Sequence, residues 1–272
     1  MWIFSLQIKE YNNLSELLGV FFIILVPILG WQFRLLTISG LIAASLIGLL
    51  ILMGYGVEGL IIIGSFFASS SIWSKYKANK KEKAQDKNAK SDRRDWTQVL
   101  ANGGVAAFSA LLGLITGNEV FYYSFVVGLA AANADTWASE IGVLSRREPF
   151  HLLKLRRVER GTSGAVSILG LFASLAGSSF VVIVALFVSE SAIIHHFIPL
   201  ILLGFCGSII DTLIGAGIQV HYKCTVCGTE TEKPIHCSLG TKRIAGIRYV
   251  NNEVVNFISG VIPATVAYFI FS

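Results

Sequence analysis

Residues 164–188 read GAVSILGLFASLAGSSFVVIVALFV, a run of 25 residues without a charged side chain. A helix of about 20 apolar residues is long enough to cross the hydrocarbon core of a bilayer. This run therefore predicts a membrane-spanning helix, and seven other stretches of the chain are similarly apolar. The eight predicted spans are 14–31, 35–54, 56–73, 98–116, 120–143, 164–188, 193–219 and 254–271.

The composition of the whole chain agrees with a membrane protein. Of its 272 residues 54% are hydrophobic and only 14% are charged, and the mean hydropathy is +0.66. A soluble domain of this length could not enclose so much apolar surface in one core, whereas lipid solvates it directly. We therefore predict an all-α fold, a polytopic transmembrane helix bundle of about eight helices. The first two or three apolar runs form either full spans or a re-entrant pair.

Charge divides the chain into segments. Twenty of its 22 lysines and arginines lie in three polar loops, at 74–97, 144–163 and 220–253. With eight spans all three loops fall on one side of the membrane. The predicted segments are N-terminal transmembrane helices over 1–73, a basic loop over 74–97, and a core transmembrane domain over 98–272 that carries the other two loops.

The one-sided charge also predicts the orientation of the protein. Basic loops stay in the cytoplasm under the positive-inside rule, which places both termini outside because only Lys9 lies opposite. In a bacterial or archaeal cell the membrane would be the plasma membrane. The polar first residues and the lack of a small-residue cleavage site after the first apolar run predict no cleavable signal peptide.

The net charge of +5 does not indicate nucleic-acid binding, because the charges lie in loops between apolar runs. The most lysine-rich part, Lys75–Lys90, has little apolar content and predicts a solvated, mobile loop or a frayed helix. Binding to anionic lipid headgroups is a second interpretation of the same lysines.

Two of the predicted spans end in a related pattern. Residues 128–136 read GLAAANADT and residues 204–212 read GFCGSIIDT, so each has glycine, six residues and Asp-Thr before a basic loop. The pattern predicts a parallel internal repeat of two helix pairs, over 98–160 and 161–250, an architecture common in membrane proteins. Chance similarity of two short stretches is the alternative.

Three carboxylates, Asp135, Glu140 and Asp211, fall inside predicted spans, where ionisable groups are costly and become functional candidates. A polar network that joins helices is the alternative, and it accounts well for Ser139 and Thr212. It accounts poorly for two repeated aspartates, because the sequence places no lysine or arginine at the same depth. A divalent cation would neutralise them, so we predict that Asp135 and Asp211 bind Mg²⁺.

Small and amide residues are expected to open three helices on the basic side. They are Asn102-Gly103-Gly104, Gly161-Thr162-Ser163-Gly164, and Asn251-Asn252 with Asn256. Free backbone N–H groups at a helix start bind phosphate, and glycine lets the backbone approach closely. Arg94 and Arg160 stand just outside. Carboxylates for Mg²⁺, amide-rich helix starts and arginines are together the parts that phosphoryl transfer requires.

Three of the four cysteines lie in the last basic loop. Cys224 and Cys227 form a CxxC pair, and His236 and Cys237 follow after eight residues. These four side chains suit a structural zinc ion, although an adjacent histidine and cysteine are awkward as joint ligands. Reduced cysteines without a metal are the alternative. The fourth, Cys206, is expected only to pack within its helix.

The run from Asn133 to Glu140, NADTWASE, resembles the signature of a family of integral membrane proteins of unknown function. That family includes the transmembrane protein 19 group and the plant phytyl-phosphate kinases. The similarity covers most of the chain from about residue 35. The other matching positions are Arg94, Gln98-Val99, Ala101-Asn102-Gly103-Gly104, Gly161-Thr162-x-Gly164-x-Val166-Ser167, Gly207-Ser208, Asp211, Asn251-Asn252 and Asn256.

The resemblance implies a membrane-embedded kinase. It would transfer a phosphoryl group from a nucleoside triphosphate, with CTP as a candidate donor, to an isoprenyl monophosphate of phytyl or geranylgeranyl type, giving the diphosphate. No Walker A motif is present, so the nucleotide would bind by other means. The residues expected to act in catalysis are Asp135, Glu140, Asp211, Arg94 and Arg160. Those expected to bind substrate or phosphate are Asn102, Gly103, Gly104, Asn133, Thr162, Gly164, Ser208, Asn252 and Asn256.

A transporter for a cation or a phospholipid-type molecule is the alternative function. It would use the same intramembrane aspartates, Asp135 and Asp211, between repeated helix pairs. The clustering of polar groups toward one side of the membrane argues against it, because a transport path also needs polar residues in the other half.

Overall fold

The computed structural model describes residues 13–87, 93–189 and 193–272. The beginning of segment 1–73, with Lys9 and the prediction about a signal peptide, lies outside the described residues, as does part of the basic loop 74–97. Eight α-helices occur in the described ranges, and the prediction of an all-α transmembrane bundle is confirmed. They are α1 (Asn13–Gln32), α2 (Ile38–Lys75), α3 (Ala78–Gln85), α4 (Trp96–Thr116), α5 (Val120–Gly142), α6 (Ile168–Val188), α7 (Phe197–Gly217) and α8 (Asn252–Phe271).

Six helices of the described part are long and apolar enough to cross a membrane, namely α1, α2, α4, α6, α7 and α8. Helix α2 has 38 residues, so a straight form would be about 57 Å long, nearly twice the thickness of a bilayer core. Helix α5 has the required length, but the polar residues from Asn133 to Glu140 lower its apolar content.

Helix α2 is a hairpin of two helical halves. The chain reverses at Gly56, where φ is +63° and ψ is −156°. A methyl group on Gly48 would touch Leu60, and one on Gly59 would touch Ile51. In a straight helix, residues 48 and 60 would be about 18 Å apart. The two halves therefore pack side by side in opposite directions.

The two ends of this hairpin mark the two ends of the bundle. Near the reversal, Glu58 Oε2 accepts a hydrogen bond from the hydroxyl of Ser189, which follows α6 (2.9 Å). At the opposite end, Lys75 Nζ donates to the Phe33 carbonyl oxygen between α1 and α2 (2.9 Å). Each half of α2 therefore runs the length of the bundle, as expected for the two separate spans 35–54 and 56–73.

Gly56→Ala should destabilise the protein, because a side chain at this φ and ψ is strained. We expect a loss of about 1–3 kcal/mol, seen as a lower Tm in detergent. Gly64→Ala is the matched control, because Gly64 lies in the same hairpin and its added methyl group would meet nothing within 4 Å. An unchanged Tm for Gly56→Ala would show that the reversal does not require glycine.

The three basic loops meet at one end of the bundle. Short strands order them: β1 (Phe150–His151) pairs with β2 (Arg156–Arg157) and β3 (Ala165–Val166), β4 (His221–Lys223) pairs with β5 (Glu230–Thr231) and β8 (Lys242–Ala245), and β6 (Ile235–His236) pairs with β7 (Leu239–Gly240). The Lys87 carbonyl oxygen, just after α3, accepts hydrogen bonds from Glu232 N and Thr231 Oγ1, both at 2.8 Å. The first and third loops are thereby joined.

The apolar core lies in the half of the bundle remote from these loops. Its large fully enclosed side chains come from α2, α5, α6 and α7 and include Ile51, Ile62, Phe125, Val126, Leu129, Val181 and Leu200, and α4 and α8 add enclosed alanines. Many polar side chains of the helices lie instead at the basic end of the bundle.

Small residues let α5 and α7 approach closely. A methyl group on Gly204 would crowd Ala130, and one on Gly207 would overlap Ala131. Close approach of this kind is how helices associate in lipid. Both helices end at the basic loops, seven residues after Asp135 and six after Asp211, so both aspartates lie about 10 Å from a helix end.

Two of the three predicted helix starts are wrong. Helix α4 begins at Trp96 and is capped by Asp95, which places Asn102-Gly103-Gly104 well inside the helix. Helix α6 begins at Ile168 and is capped by Ser167, so residues 161–164 lie in the preceding loop. Side chains that cap backbone N–H groups decide these boundaries, and the apolar runs do not report them. Helix α8 begins at Asn252 with Asn251 as its cap, as predicted.

Candidate active site

A polar cavity of about 320 Å³ lies at the basic end, among the ends of the helices and the loops above them. Eleven of the predicted site residues line it. They are Arg94, Asn102, Asp135, Glu140, Arg160, Thr162, Gly164, Ser208, Asp211, Asn252 and Asn256. The structure thus brings together residues from four helices and two loops, and their individual roles stay predictions.

Asp135 and Asp211 face this cavity from the two closely packed helices. Asp211 Oδ2 accepts a hydrogen bond from Ser259 Oγ (3.2 Å). With its amide nitrogen turned toward the acceptors, Asn256 also donates to Asp211 Oδ2 (3.0 Å). Within the described ranges neither aspartate forms an ion pair, and the two are close enough for their charges to interact. Two uncompensated carboxylates in a polar cavity are suitable oxygen ligands for a divalent cation.

Glu140, which we expected to act in catalysis, has a cation partner. Lys81 Nζ lies 2.7 Å from Glu140 Oε2 and also donates to the Trp73 carbonyl oxygen, while Ser74 Oγ donates to Glu140 Oε1 (2.9 Å). The Lys81 side chain is only 1% exposed and that of Glu140 is 20% exposed. This ion pair joins α3 to the end of α5, beside the two aspartates.

The burial of Lys81 corrects part of the prediction of a solvated, mobile loop or a frayed helix over Lys75–Lys90, of which the structure describes residues 75–87. Residues 78–85 form α3, and the Lys81 side chain on this helix is buried, including its apolar stem. Nothing in the run of lysines singles out Lys81.

The two predicted arginines occupy different parts of the cavity wall. The backbone of Arg94 is fixed beside the loop between α1 and α2, because its N–H donates to Leu35 O (2.9 Å) and its carbonyl accepts from Thr37 N (3.0 Å). Its guanidinium lies 5.6 Å from the centre of the Phe67 ring. Arg160 is exposed, and its Nη2 donates to the Arg146 carbonyl oxygen (3.0 Å). Arg94 is therefore held in a fixed position in the cavity wall, whereas Arg160 lies on the side of the cavity that is exposed to solvent.

Three predicted site residues do not line the polar cavity. Gly103 and Gly104 pack against neighbouring side chains within the bundle. Asn133 is fully buried: its Oδ1 accepts a hydrogen bond from Ser69 Oγ (3.1 Å), and its Nδ2 donates to the Gly177 carbonyl oxygen (2.7 Å). Asn133 thus joins α2, α5 and α6 below the cavity floor.

Sequence reasoning missed two acidic residues of the cavity wall, Glu232 and Glu253, and Gln219, which is hydrogen-bonded to Glu232. Ser163 Oγ donates to Gln219 Oε1 (2.8 Å), and Gln219 Nε2 donates to Glu232 Oε1 (2.7 Å). Glu232 and Glu253 line the cavity beside Gln98. Glu232 lies in a loop and carries no spacing signal, because its position depends on how the separate loops pack together.

A second cavity, of about 380 Å³, is apolar and lies between α1, the two halves of α2 and α4. Its walls include Phe22, Leu36, Ile47, Leu60 and Phe67. Three further residues, Arg94, Gln98 and Asn102, line both this cavity and the polar one. The sequence does not reveal the apolar cavity, since its side chains resemble those that face lipid.

The predicted zinc ligands form a separate cluster in the last loop. The ligand atoms of Cys224, Cys227, His236 and Cys237 all lie within 4.8 Å of one another. Hydrogen bonds from the backbone N–H groups of Cys227 and Val226 lower the pKa of the Cys224 thiol to about 6. Interaction with the Cys227 sulfur raises the pKa of Cys237 to about 11.

The profile of the family described as integral membrane protein DUF92 matches residues 21–264. The chain belongs to this family. It is therefore an integral membrane protein, and the resemblance inferred from its signature is confirmed.

Individual relatives are similar along most of the chain. Protein PGR of Arabidopsis thaliana is 31% identical over 260 residues, which cover 86% of this chain and 88% of that protein. An uncharacterized membrane protein of Methanocaldococcus jannaschii is 29% identical over 248 residues, 85% of this chain and 100% of that protein. Protein VTE6, chloroplastic, of Arabidopsis thaliana is 27% identical over 229 residues, 82% of this chain and 62% of that protein. No solved structure matches significantly.

Proposed function

We propose that the protein is a membrane-embedded kinase that transfers a phosphoryl group from a nucleoside triphosphate to an isoprenyl monophosphate of phytyl or geranylgeranyl type. The observation that carries this proposal is the junction of the two cavities at Arg94, Gln98 and Asn102. A phosphate head needs charged and hydrogen-bonding partners, whereas an isoprenyl tail needs apolar surface. The paired cavities offer both, on either side of one arginine.

Family membership supports the same substrate class. The NADTWASE signature resembles that of a family that includes plant phytyl-phosphate kinases, and VTE6 is a relative. CTP is the donor that the resemblance suggests. The nucleotide would enter from the basic loops, where most of the positive charge of the chain is found.

In the proposed reaction a non-bridging oxygen of the isoprenyl monophosphate attacks the γ-phosphorus of the nucleotide. The bond between this phosphorus and the β,γ-bridging oxygen breaks, the nucleoside diphosphate leaves, and the isoprenyl diphosphate forms. A phosphate monoester is already a nucleophile at neutral pH, so no strong general base is required. Arg94 and Arg160 would neutralise charge on the phosphoryl oxygens.

The residues of the cavity fit a magnesium ion. Asp135 and Asp211 would hold it through carboxylate oxygens, with Asn256 and Ser259 orienting the Asp211 carboxylate. When bound, such an ion neutralises nucleotide phosphates. Glu140 is neutralised by Lys81, so we assign it to holding the cavity wall rather than to the metal.

The proposal is tested with purified protein in detergent. The protein is incubated with Mg²⁺, CTP or ATP labelled at the γ-phosphate, and farnesyl, geranylgeranyl or phytyl monophosphate. We expect a labelled isoprenyl diphosphate that disappears when Mg²⁺ is chelated. Absence of product with every donor and acceptor would refute the kinase proposal.

Gly64→Leu should shorten the tail that the enzyme accepts. Gly64 lines the apolar cavity, and an added side chain there has open space to fill. Loss of apolar contact for the far end of a tail costs about 1–3 kcal/mol, so kcat/KM for geranylgeranyl monophosphate should fall about tenfold or more. The value for geranyl monophosphate should change little. Equal losses for both substrates would contradict a tail site in this cavity.

Transport is not supported as the second function. The enclosed apolar layer that contains Phe125, Val126 and Leu129 separates the polar cavity from the remote end of the bundle. A transport path would need polar groups through that layer. Flux of Mg²⁺ or an isoprenyl phosphate into proteoliposomes, without diphosphate formation, would favour transport instead.

A further inference from the structure

The cysteine cluster has the dimensions of a tetrahedral zinc site. His236 Nδ1 lies 3.6 Å from Cys227 Sγ and 3.2 Å from Cys237 Sγ. With Zn–S bonds of about 2.3 Å and Zn–N bonds of about 2.0 Å, neighbouring ligand atoms of a tetrahedron are roughly 3.5–3.8 Å apart. The four ligand atoms, all within 4.8 Å of one another, need little adjustment to surround one ion.

The backbone conformation explains how the adjacent residues His236 and Cys237 can both be ligands of the same ion. Strands β6 and β7 are joined by the two residues Cys237 and Ser238, with φ of +51° and +62°. A two-residue hairpin with both φ values positive normally uses Asn and Gly, because other side chains are strained there. The turn directs the Cys237 sulfur back toward the His236 ring.

The turn that contains Cys224 and Cys227 has a hydrogen bond of the kind expected around a metal-bound thiolate. The Val226 N–H donates to Cys224 Sγ (3.4 Å), and the Gly228 N–H donates to the Cys224 carbonyl oxygen (3.1 Å). Gly228 has φ of +75°, which closes the turn tightly after Cys227. The Val226 N–H stabilises negative charge on the Cys224 sulfur.

A carboxylate from a different loop orients the histidine. The second ring nitrogen of His236, Nε2, lies 3.1 Å from Asp86 Oδ2, and Asp86 Oδ1 accepts from Lys233 Nζ (2.9 Å). Histidines that bind a metal through one nitrogen usually donate from the other to a carboxylate or carbonyl group. Asp86 directly follows α3, so the contact joins the cluster to that helix.

We propose that Cys224, Cys227, His236 and Cys237 bind one structural Zn²⁺ ion, which fastens the last basic loop to α3 through Asp86. Helix α3 carries Lys81, and the loop carries Glu232, and both line the polar cavity. The ion therefore holds the loop side of the cavity in place and takes no part in the chemistry. The site is independent of the reaction that the cavity performs.

Metal analysis of the full-length protein, purified without added metal or chelator, tests this directly. We expect about one zinc per chain and, after exchange, the visible absorption of tetrahedral thiolate-bound Co²⁺. Cys227→Ser should lose most of the zinc. Cys206→Ser, which alters the cysteine inside α7, is the matched control and should retain it. Zinc-free wild type with four freely reacting thiols, or with a disulfide in the loop, would overturn the proposal.

Asp86→Asn tests the positioning role. This variant should still bind zinc but lose it to a competing chelator at a concentration about 10–100-fold lower than the wild type does. Glu82→Gln, an exposed change on α3, should behave like the wild type. Removal of zinc should also open the loop after β4 to trypsin. Equal zinc affinity in Asp86→Asn and Glu82→Gln would contradict the link to α3.

Discussion

Asp211→Asn should lower kcat for isoprenyl diphosphate formation by about 10³-fold, and Asp135→Asn should do the same. Each change removes one negative charge from the pair that faces the polar cavity, while keeping the size of the side chain. The contact from Ser259 Oγ can be kept by the oxygen of the new amide, so the fold should survive. The loss should appear in kcat at saturating Mg²⁺, measured with labelled nucleotide.

The double variant sharpens this test. If Asp135 and Asp211 hold the same ion, removing both should cost little more than removing either one. Glu119→Gln is the control, because Glu119 lies at the opposite end of α5 and far from the cavity. Losses below tenfold in the single variants, or fully multiplicative losses in the double variant, would argue against a shared metal site.

The membrane fold could be predicted from sequence because each apolar run indicates by itself that its helix lies in lipid. A helix that faces lipid must be apolar along its whole length, so the runs mark the spans without reference to their neighbours. The repeated Asp-Thr pattern likewise placed Asp135 and Asp211 near one end of the bundle. Glycine and alanine on α5 and α7 then bring the two aspartates to one cavity.

The hairpin in α2 was predictable from length rather than from the residues that form its turn. The runs 35–54 and 56–73 are separated by Tyr55 alone, and the chain reverses at Gly56. Tyr55 gives no sign of a turn, because tyrosine is common in strands and helices alike. Gly56 is one of 26 glycines in the chain, so its presence by itself distinguishes no position. An apolar stretch nearly twice as long as a bilayer is thick must instead cross it twice.

The cavity wall could not be predicted to the same extent, because its contacts join distant parts of the chain. Lys81 reaches Glu140 only because α3 folds over the end of α5, and neither local pattern reports that packing. Asp95 and Ser167 each cap a helix and move its start away from the glycines that the sequence favoured. At both boundaries the capping residue, rather than the pattern of apolar residues, determines where the helix begins.

Lys81→Met should lower the free energy of unfolding by about 3 kcal/mol, since it leaves the Glu140 carboxylate without its cation partner. Glu140→Gln should cost at least as much, because the Lys81 ammonium is 1% exposed and cannot be solvated by water instead. Thermal or denaturant unfolding of the purified protein in detergent measures both losses.

The double variant distinguishes the contribution of the ion pair to stability from the contribution of the packing around it. A buried pair replaced on both sides leaves no isolated charge, so Lys81→Met with Glu140→Gln should be more stable than either single variant. The Lys154–Glu230 pair is the matched control, because its atoms are 3.4 Å apart and its side chains are 41% and 49% exposed. Removing that pair should cost about 0–1 kcal/mol. If the two pairs showed the same coupling energy, burial would not be what makes Lys81 important, and α3 would be held over the cavity by its other contacts.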